Sequence, residues 1–215
     1  MEKSKLMSKV FLWMFIGLAV TFVTGSYLST NPSLILEIFD GGSVFLIFLV
    51  ELVLVIVLSA RIHKMNSVTA KVMFILYSFV TGLTFSSVFV VYDITSIIYV
   101  FLATSLVMLI FALIGYFTNI DLTKIGTFLF MAVIGILIMC IINIFLGSEQ
   151  FDLIISIISV LVFIIYIAYD VQKVKQLYEQ NYLPEENLAI YGALQLYLDF
   201  INIFLDLLRI FGDRD

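Results

Sequence analysis

The chain has 215 residues, of which 63% are apolar and 13% are charged, and its formal net charge is −5. A soluble domain is typically about 45–50% apolar and about 25% charged. The composition therefore excludes a soluble enzyme domain, and it equally excludes a disordered chain. Nucleic acid is not expected as a partner, because that would require a basic surface.

Seven apolar runs follow one another along the chain, each bounded by polar or charged residues. Their length suits membrane-spanning helices, and most lack the alternation that is typical of barrel strands. The runs are about 10–28, 43–60, 71–91, 96–117, 125–146, 153–169 and 188–211. The sequence predicts an all-α integral membrane protein with seven transmembrane helices in one domain, residues 1–215.

The segments between the runs are predicted to be short loops. The longest is expected at about 170–187, and Pro32 and Pro184 both fall in predicted loops, so no spanning helix should be kinked by proline. The first run also fits a signal peptide, because lysines precede it. Its length and the lack of a small-x-small cleavage site after it favour a spanning helix.

Basic residues are distributed unevenly between the two sides of the predicted membrane. With a cytoplasmic N-terminus, nine of the 11 Lys and Arg lie on the inner side. They are Lys3, Lys5, Lys9, Arg61, Lys64, Lys71, Lys124, Lys173 and Lys175. The outer segments hold Glu37, Asp40, Asp93, Glu149 and Asp152, with Arg209 and Arg214 near the C-terminus. This bias predicts that the N-terminus is cytoplasmic and the C-terminus is outside.

The last apolar run carries a regular series of polar side chains. Gln195, Asp199, Asn202, Asp206 and Arg209 follow spacings that place them on one face of a helix. Such a face either joins helices through hydrogen bonds and an i, i+3 ion pair between Asp206 and Arg209, or it lines a path for a cation or a proton.

Asp170 closes the sixth run, just before Lys173 and Lys175. It either pairs with those lysines or faces Asp199 across the contact between the last two helices. Two neighbouring carboxylates do not both ionise readily, so such a pair shares one proton and titrates as a unit. The pair would then act as a proton sensor or as a catalytic dyad.

Two further ionisable residues belong to the second run. Glu51 is either a buried, hydrogen-bonded acid or a residue that lines a cavity. Arg61, at the inner end of the same run, is either a positive-inside anchor or a side chain that reaches inner carboxylates.

Several segments together resemble the transmembrane Bax inhibitor motif family, the Bax inhibitor-1-like proteins. The resemblance extends from about residue 44 to residue 212, and the AYD-x-Q-K and LYLDFIN motifs are its most specific parts. The segments are YSFVTGLTFSSVF (77–89), FLATS (101–105), GYFTNIDLTKIGTFLFMAVIGILI (115–138), INIFL (142–146), AYDVQKVK (168–175) and LYLDFINIFLDLLRIFG (196–212).

The resemblance implies a seven-helix bundle in which the other six helices surround the seventh. It also implies a pH-sensitive calcium leak, whose sensor aspartates match Asp170 and Asp199. Glu51 matches a glutamate on the ion path, and Arg61 is the nearest match to an arginine that latches onto the pair. The sequence departs from the family at Asp206, where relatives more often carry an uncharged residue.

These features predict a passive calcium leak channel of the plasma membrane, with no cofactor and with Ca²⁺ as the transported ion. The expected ion path is Glu51, Asp199, Asn202 and Asp206, and Asp170 and Asp199 are the expected metal ligands, because carboxylate oxygens suit Ca²⁺. The lipid bilayer and calcium ions are the expected partners.

Two rival functions remain open. The first is an interaction protein that modulates a membrane protease or a stress response. The second is an intramembrane aspartyl protease, for which Tyr169-Asp170 fits. That enzyme class requires Gly-x-Gly-Asp where this chain has Leu-Tyr-Leu-Asp199, so an enzyme is not expected.

Overall fold

The computed structural model of the protein describes residues 2–39 and 42–213, so Asp40 and Arg214 lie outside the described residues. Within these ranges the chain forms nine α-helices and two short 3₁₀ helices, Ile62–Lys64 and Leu122–Ile125. The α-helices are α1 (Glu2–Ser29), α2 (Pro32–Phe39), α3 (Ser43–Arg61), α4 (Ser67–Phe85), α5 (Val88–Val91), α6 (Ile94–Phe117), α7 (Gly126–Leu146), α8 (Glu149–Glu179) and α9 (Glu185–Phe211).

Seven helical stretches in the described chain are long and apolar enough to cross a membrane. They are Glu2–Ser29, Ser43–Lys64, Ser67–Val91, Ile94–Phe117, Leu122–Leu146, Glu149–Glu179 and Glu185–Phe211. The seven predicted spans are therefore confirmed, each in the predicted order.

The longest predicted loop is wrong in its bounds. Helix α8 continues to Glu179, so only residues 180–184 connect it to α9. Val171 and Val174 are buried and lie on one face of the helix. Helix α8 continues beyond the apolar run because a helix needs only one apolar face to pack, and these two valines provide it.

Two local features of the spans were not predicted. Residues 32–39 form α2 where a loop was expected, and Pro32 is its first residue, a position where the missing amide hydrogen carries no penalty. The third span is interrupted between α4 and α5. There Ser86 Oγ donates to the Leu83 carbonyl and Ser87 Oγ donates to the Thr84 carbonyl. Such bonds compete with the helical ladder, which accounts for a break without proline.

The described chain forms two compact units. The first holds the residues up to Asp93 together with Leu177–Tyr197, and the second holds Ile94–Gln176 and Leu198–Asp213.

In the first unit, α1 and α4 approach closely because small residues lie between them. A Cβ atom on Gly82 would lie 2.6 Å from the Cβ of Thr24, and one on Gly17 would lie 2.6 Å from the ring of Phe74. Thr21 Oγ1 donates to the carbonyl oxygen of Ser78 over 2.8 Å. Close approach through glycine and hydroxyl side chains is the usual way in which helices associate in a bilayer.

In the second unit, α6, α7 and most of α8 pack with the end of α9. The ring of Phe101 lies 5.3 Å from that of Phe200 and 6.4 Å from that of Phe204, both in edge arrangements. These aromatic contacts fix α6 against α9.

The last helix is the most buried of the seven spans. In its most apolar 18-residue stretch 72% of the residues are buried, against 6% for the span that contains α3. Such burial is what a central helix would have. The arrangement of the other six helices around α9, the single domain and the orientation in the membrane stay predictions.

Candidate functional site

Two aspartates of the second unit are buried close to each other. Asp170 lies on α8 and is 2% exposed, and Asp199 lies on α9 and is 3% exposed. The carboxylates are near enough to interact electrostatically. Lys173 and Tyr166, both on α8, also interact electrostatically with Asp170. The structure thus brings together the two acids that the sequence singled out as a pair.

One oxygen of this pair has no hydrogen-bond partner in the described part of the chain. It is Oδ2 of Asp199, which is inaccessible to solvent. A buried carboxylate oxygen without a donor is energetically unfavourable. This free-energy cost is removed when the oxygen gains a proton or binds a cation, or when a movement of the helices admits water. The pair is therefore chemically unsatisfied in this conformation.

Close backbone packing holds Asp170 in place. A Cβ on Gly115 of α6 would lie 2.7 Å from the Cα of Ala168 and nearer still to its carbonyl oxygen. A Cβ on Gly126 of α7 would lie 2.6 Å from the hydroxyl of Tyr169. The two glycines allow α6 and α7 to contact α8 immediately before Asp170.

A second buried acid lies seven residues further along α9. Asp206 is 5% exposed, and Ser159 Oγ of α8 donates to its Oδ2. Arg209 Nη1 donates to its Oδ1 over 3.3 Å, as the i, i+3 spacing predicts, and Arg209 Nε lies 3.9 Å from Asp152 Oδ2. We call Asp152, Ser159, Asp206 and Arg209 the Asp206 cluster.

The contribution of α8 to this cluster was not predicted from the sequence. Asp152 and Ser159 are polar residues in a mostly apolar helix. Their i, i+7 spacing places them on one face of α8, and this spacing is the signal in the sequence that could have identified them. Ser156, on the same face, lies near Asp206, but its Oγ makes no hydrogen bond with the described residues.

The remaining predicted residues lie elsewhere. Asn202 is half-buried, and its Nδ2 donates to the Leu198 carbonyl of its own helix over 2.7 Å. Glu51 is half-buried in the first unit and accepts a 2.7 Å hydrogen bond from Thr81 Oγ1. Arg61 is exposed at the end of α3, also in the first unit. Its predicted contact with the acid pair stays a prediction.

The metal-ligating side chains of the described residues limit what the acid pair can bind. No three His, Cys, Asp or Glu side chains in them come together as a potential metal-binding group. The two carboxylates of Asp170 and Asp199 would therefore hold a cation only with the help of other oxygens, such as water.

Seven apolar spanning helices and an acid pair between the last two define a multi-pass membrane protein with an ionisable site inside it. A family model described as "Inhibitor of apoptosis-promoting Bax1" matches residues 3–215. The chain belongs to this family, the Bax inhibitor-1-like membrane proteins, which confirms the resemblance.

Three bacterial relatives cover most of the chain. Inner membrane protein YbhL of Escherichia coli is 44% identical over 214 residues, 97% of this chain and 91% of the relative. A protein of Borreliella burgdorferi is 38% identical over 216 residues, 99% and 93% of the two chains. A membrane protein of Streptococcus pyogenes is 39% identical over 168 residues, 78% and 73%. The protein is thus a multi-pass protein of the cell membrane.

Proposed function

We propose that the protein is a pH-sensitive calcium leak channel, gated by the Asp170 and Asp199 pair. The observation that supports the proposal most directly is the burial of both carboxylates within electrostatic range, with Oδ2 of Asp199 left without a donor. Such a pair changes its interactions when it gains or loses a proton. Packing alone does not require it.

The proposed gate depends on the repulsion between two carboxylates. With one shared proton, the pair holds α8 and α9 together and the path is closed. Loss of that proton places two negative charges in a buried contact, and their repulsion loosens it. Flux should therefore rise as the pH rises. Arg61 is proposed to compensate one of the two charges after this proton is lost.

The proposed ion path uses oxygen atoms along α3 and α9. Carboxylate and amide oxygens of Glu51, Asp199, Asn202 and Asp206 are suitable ligands for Ca²⁺, with Asp170 beside Asp199. Asp206 is already engaged by Ser159 and Arg209. Its role in passage would require release of the arginine. No cofactor is needed for passive flux.

The test is calcium flux into dye-loaded liposomes that contain the purified protein, between about pH 6 and about pH 8, a range that brackets physiological pH. We expect wild-type flux to rise with pH by up to about tenfold per pH unit, the limit for one proton. Asp170→Asn and Asp199→Asn should remove this dependence, because neither variant has two carboxylates to share a proton.

Glu149→Gln is the matched control, because Glu149 is an exposed acid at the other end of α8. It should keep the wild-type profile. If no variant and no wild-type sample passes calcium above empty liposomes, the leak is excluded. A role in binding a membrane protease would then be the next hypothesis, and such a role would survive neutralisation of both aspartates.

A further inference from the structure

A buried glutamine just beyond Asp170 fastens α8 to one loop. Gln172 is 8% exposed. Its Nε2 donates to the carbonyl oxygen of Ile120 over 2.8 Å, and its Oε1 accepts from the amide nitrogen of Leu122 over 2.8 Å. We call this pair of bonds the Gln172 clasp. Because one planar amide group makes both hydrogen bonds, the clasp fixes the position of α8 along its axis and its rotation about that axis, both relative to the loop.

Further contacts fasten the same region. Lys175 Nζ donates to the carbonyl oxygen of Tyr116, at the end of α6, and lies 4.6 Å from the centroid of the Tyr116 ring. Within the loop, Asp121 Oδ1 accepts from the amide nitrogen of Thr123 over 3.1 Å. Hydrogen bonds from Thr123 hold the pKa of the Asp121 carboxyl below its usual value. The loop is therefore an ordered, charged element that contacts α8 on the side of the clasp.

The clasp accounts for motif residues that the proposed gate leaves unused. The glutamine of AYD-x-Q-K and the TNIDL stretch of residues 118–122 are far apart in the sequence, but they meet here. Asp170 precedes Gln172 by two residues on one continuous helix. Any shift of α8 that opens the clasp therefore also moves the Asp170 carboxylate.

We propose that Gln172 is a positioning residue for the acid pair, and that the loop at residues 118–125 is coupled to the pair through it. The clasp holds α8 in the place that puts Asp170 opposite Asp199. Release of the clasp allows α8 to move away from α9. The flux readout of this inference rests on the proposed function, whereas its exchange readout does not.

Two variants open the clasp from opposite sides. Gln172→Met keeps the volume of the side chain but removes both hydrogen bonds. Leu122→Pro removes the amide hydrogen that Oε1 accepts, and it suits the first residue of the 3₁₀ helix Leu122–Ile125, because Asp121 before it is extended. Gln176→Met is the matched control, since Gln176 is half-buried one turn further along α8 and has no hydrogen bond to the described loop.

The first measurement is amide hydrogen exchange of residues 168–176 in protein held in lipid nanodiscs. We expect exchange to be faster by about tenfold in both clasp variants, as the loss of one or two hydrogen bonds implies, and unchanged in Gln176→Met. Unchanged exchange in Gln172→Met and in Leu122→Pro would show that the clasp does not hold α8.

The second measurement separates positioning from a purely structural role. In calcium flux, Gln172→Met should raise the maximal rate by about fivefold, in the usual range for coupled sites, without changing the Ca²⁺ concentration for half-maximal flux. The same change in an Asp199→Asn background should have no effect, because the pair on which it acts is gone. An equal effect in both backgrounds would overturn the proposal.

The two proposals fail in different ways. If the wild type passes no calcium, the leak is wrong, and the positioning role is decided by exchange at the amide of Leu122. Coupling between two sites is reciprocal, so Asp199→Asn should change that exchange by about fivefold. If Asp199→Asn leaves it unchanged, the loop is not coupled to the pair.

Discussion

Two buried aspartates lie seven residues apart on α9, and their surroundings in the second unit differ. Asp206 receives a hydrogen bond from Ser159 and another from Arg209. Asp199 faces a second acid, Asp170, and one of its oxygens has no donor. The residue type, the helix and its face are the same, so the difference comes from the partners. These are Ser159 of α8 and Arg209 of α9 for Asp206, and Asp170 of α8 for Asp199.

Charge in a spanning helix is therefore not by itself a sign of function. At Asp206 a serine hydroxyl and an arginine donate to the carboxylate, which is what a structural acid requires. At Asp199 one carboxylate oxygen has no donor among the described residues, and close packing of α6 and α7 on α8 holds Asp170 in place. An acid that is held without compensation is the better candidate for a site that changes state.

The largest expected effect concerns the packing of α6 against α8, immediately before Asp170. Gly115→Ala should destabilise the protein by about 3 kcal/mol, because the added methyl group meets the backbone of Ala168, which has no freedom to move aside. The free energy of unfolding in mixed detergent micelles is the measurement.

Gly135→Ala is the matched control for this packing. Gly135 lies within α7, and a Cβ there meets nothing within 4 Å. The change should be neutral or stabilising by up to about 1 kcal/mol, because alanine is the better helix former. Equal losses for the two alanines would mean that the contact between α6 and α8 is not tight.

The next largest effect is expected when the aspartates at 199 and 206 are each replaced by asparagine. Asp206→Asn should cost about 2 kcal/mol, because it removes the charge that binds Arg209 and weakens the bond from Ser159. Asp199→Asn should cost nothing or stabilise the protein, because it removes a negative charge that faces Asp170 and has no compensating donor. Both values come from the same unfolding measurement at neutral pH.

If both asparagine variants lose the same free energy of unfolding, Asp199 is as well stabilised by its surroundings as Asp206. Asp152→Asn provides the control, since Asp152 lies 3.9 Å from Arg209 and is partly exposed. Its neutralisation should cost less than about 1 kcal/mol, as is usual for exposed ion pairs.

The spans and the two acids as separate candidates could be predicted because both follow from local patterns in the sequence. The pairing of the acids was one of two alternatives that the residues left open. Composition and run length are sufficient for seven membrane helices. Asp170 and Asp199 stand out because charges are rare within such runs. Neither inference needs to know which side chain meets which.

The missed features all depend on partners that are distant in the sequence or on competition within the backbone. The bonds from Gln172 to Ile120 and Leu122 join positions about fifty residues apart, and a single sequence contains no signal for them. Ser86 and Ser87 break the third span through bonds to their own backbone, whereas the apolar pattern continues through them.

The smallest expected effect compares two serines of α8 that lie one turn apart. Ser159→Ala removes a hydroxyl that donates to Asp206 and should cost about 1 kcal/mol. Ser156→Ala removes a buried hydroxyl whose oxygen has no partner among the described residues, so it should be neutral or slightly stabilising. The difference between the two free energies of unfolding, measured side by side, is the quantity of interest. The difference should vanish in an Asp206→Leu background, because Ser159 then has no acceptor left to lose. A difference that persists in Asp206→Leu would show that Ser159 stabilises α8 by some contact other than the one with Asp206.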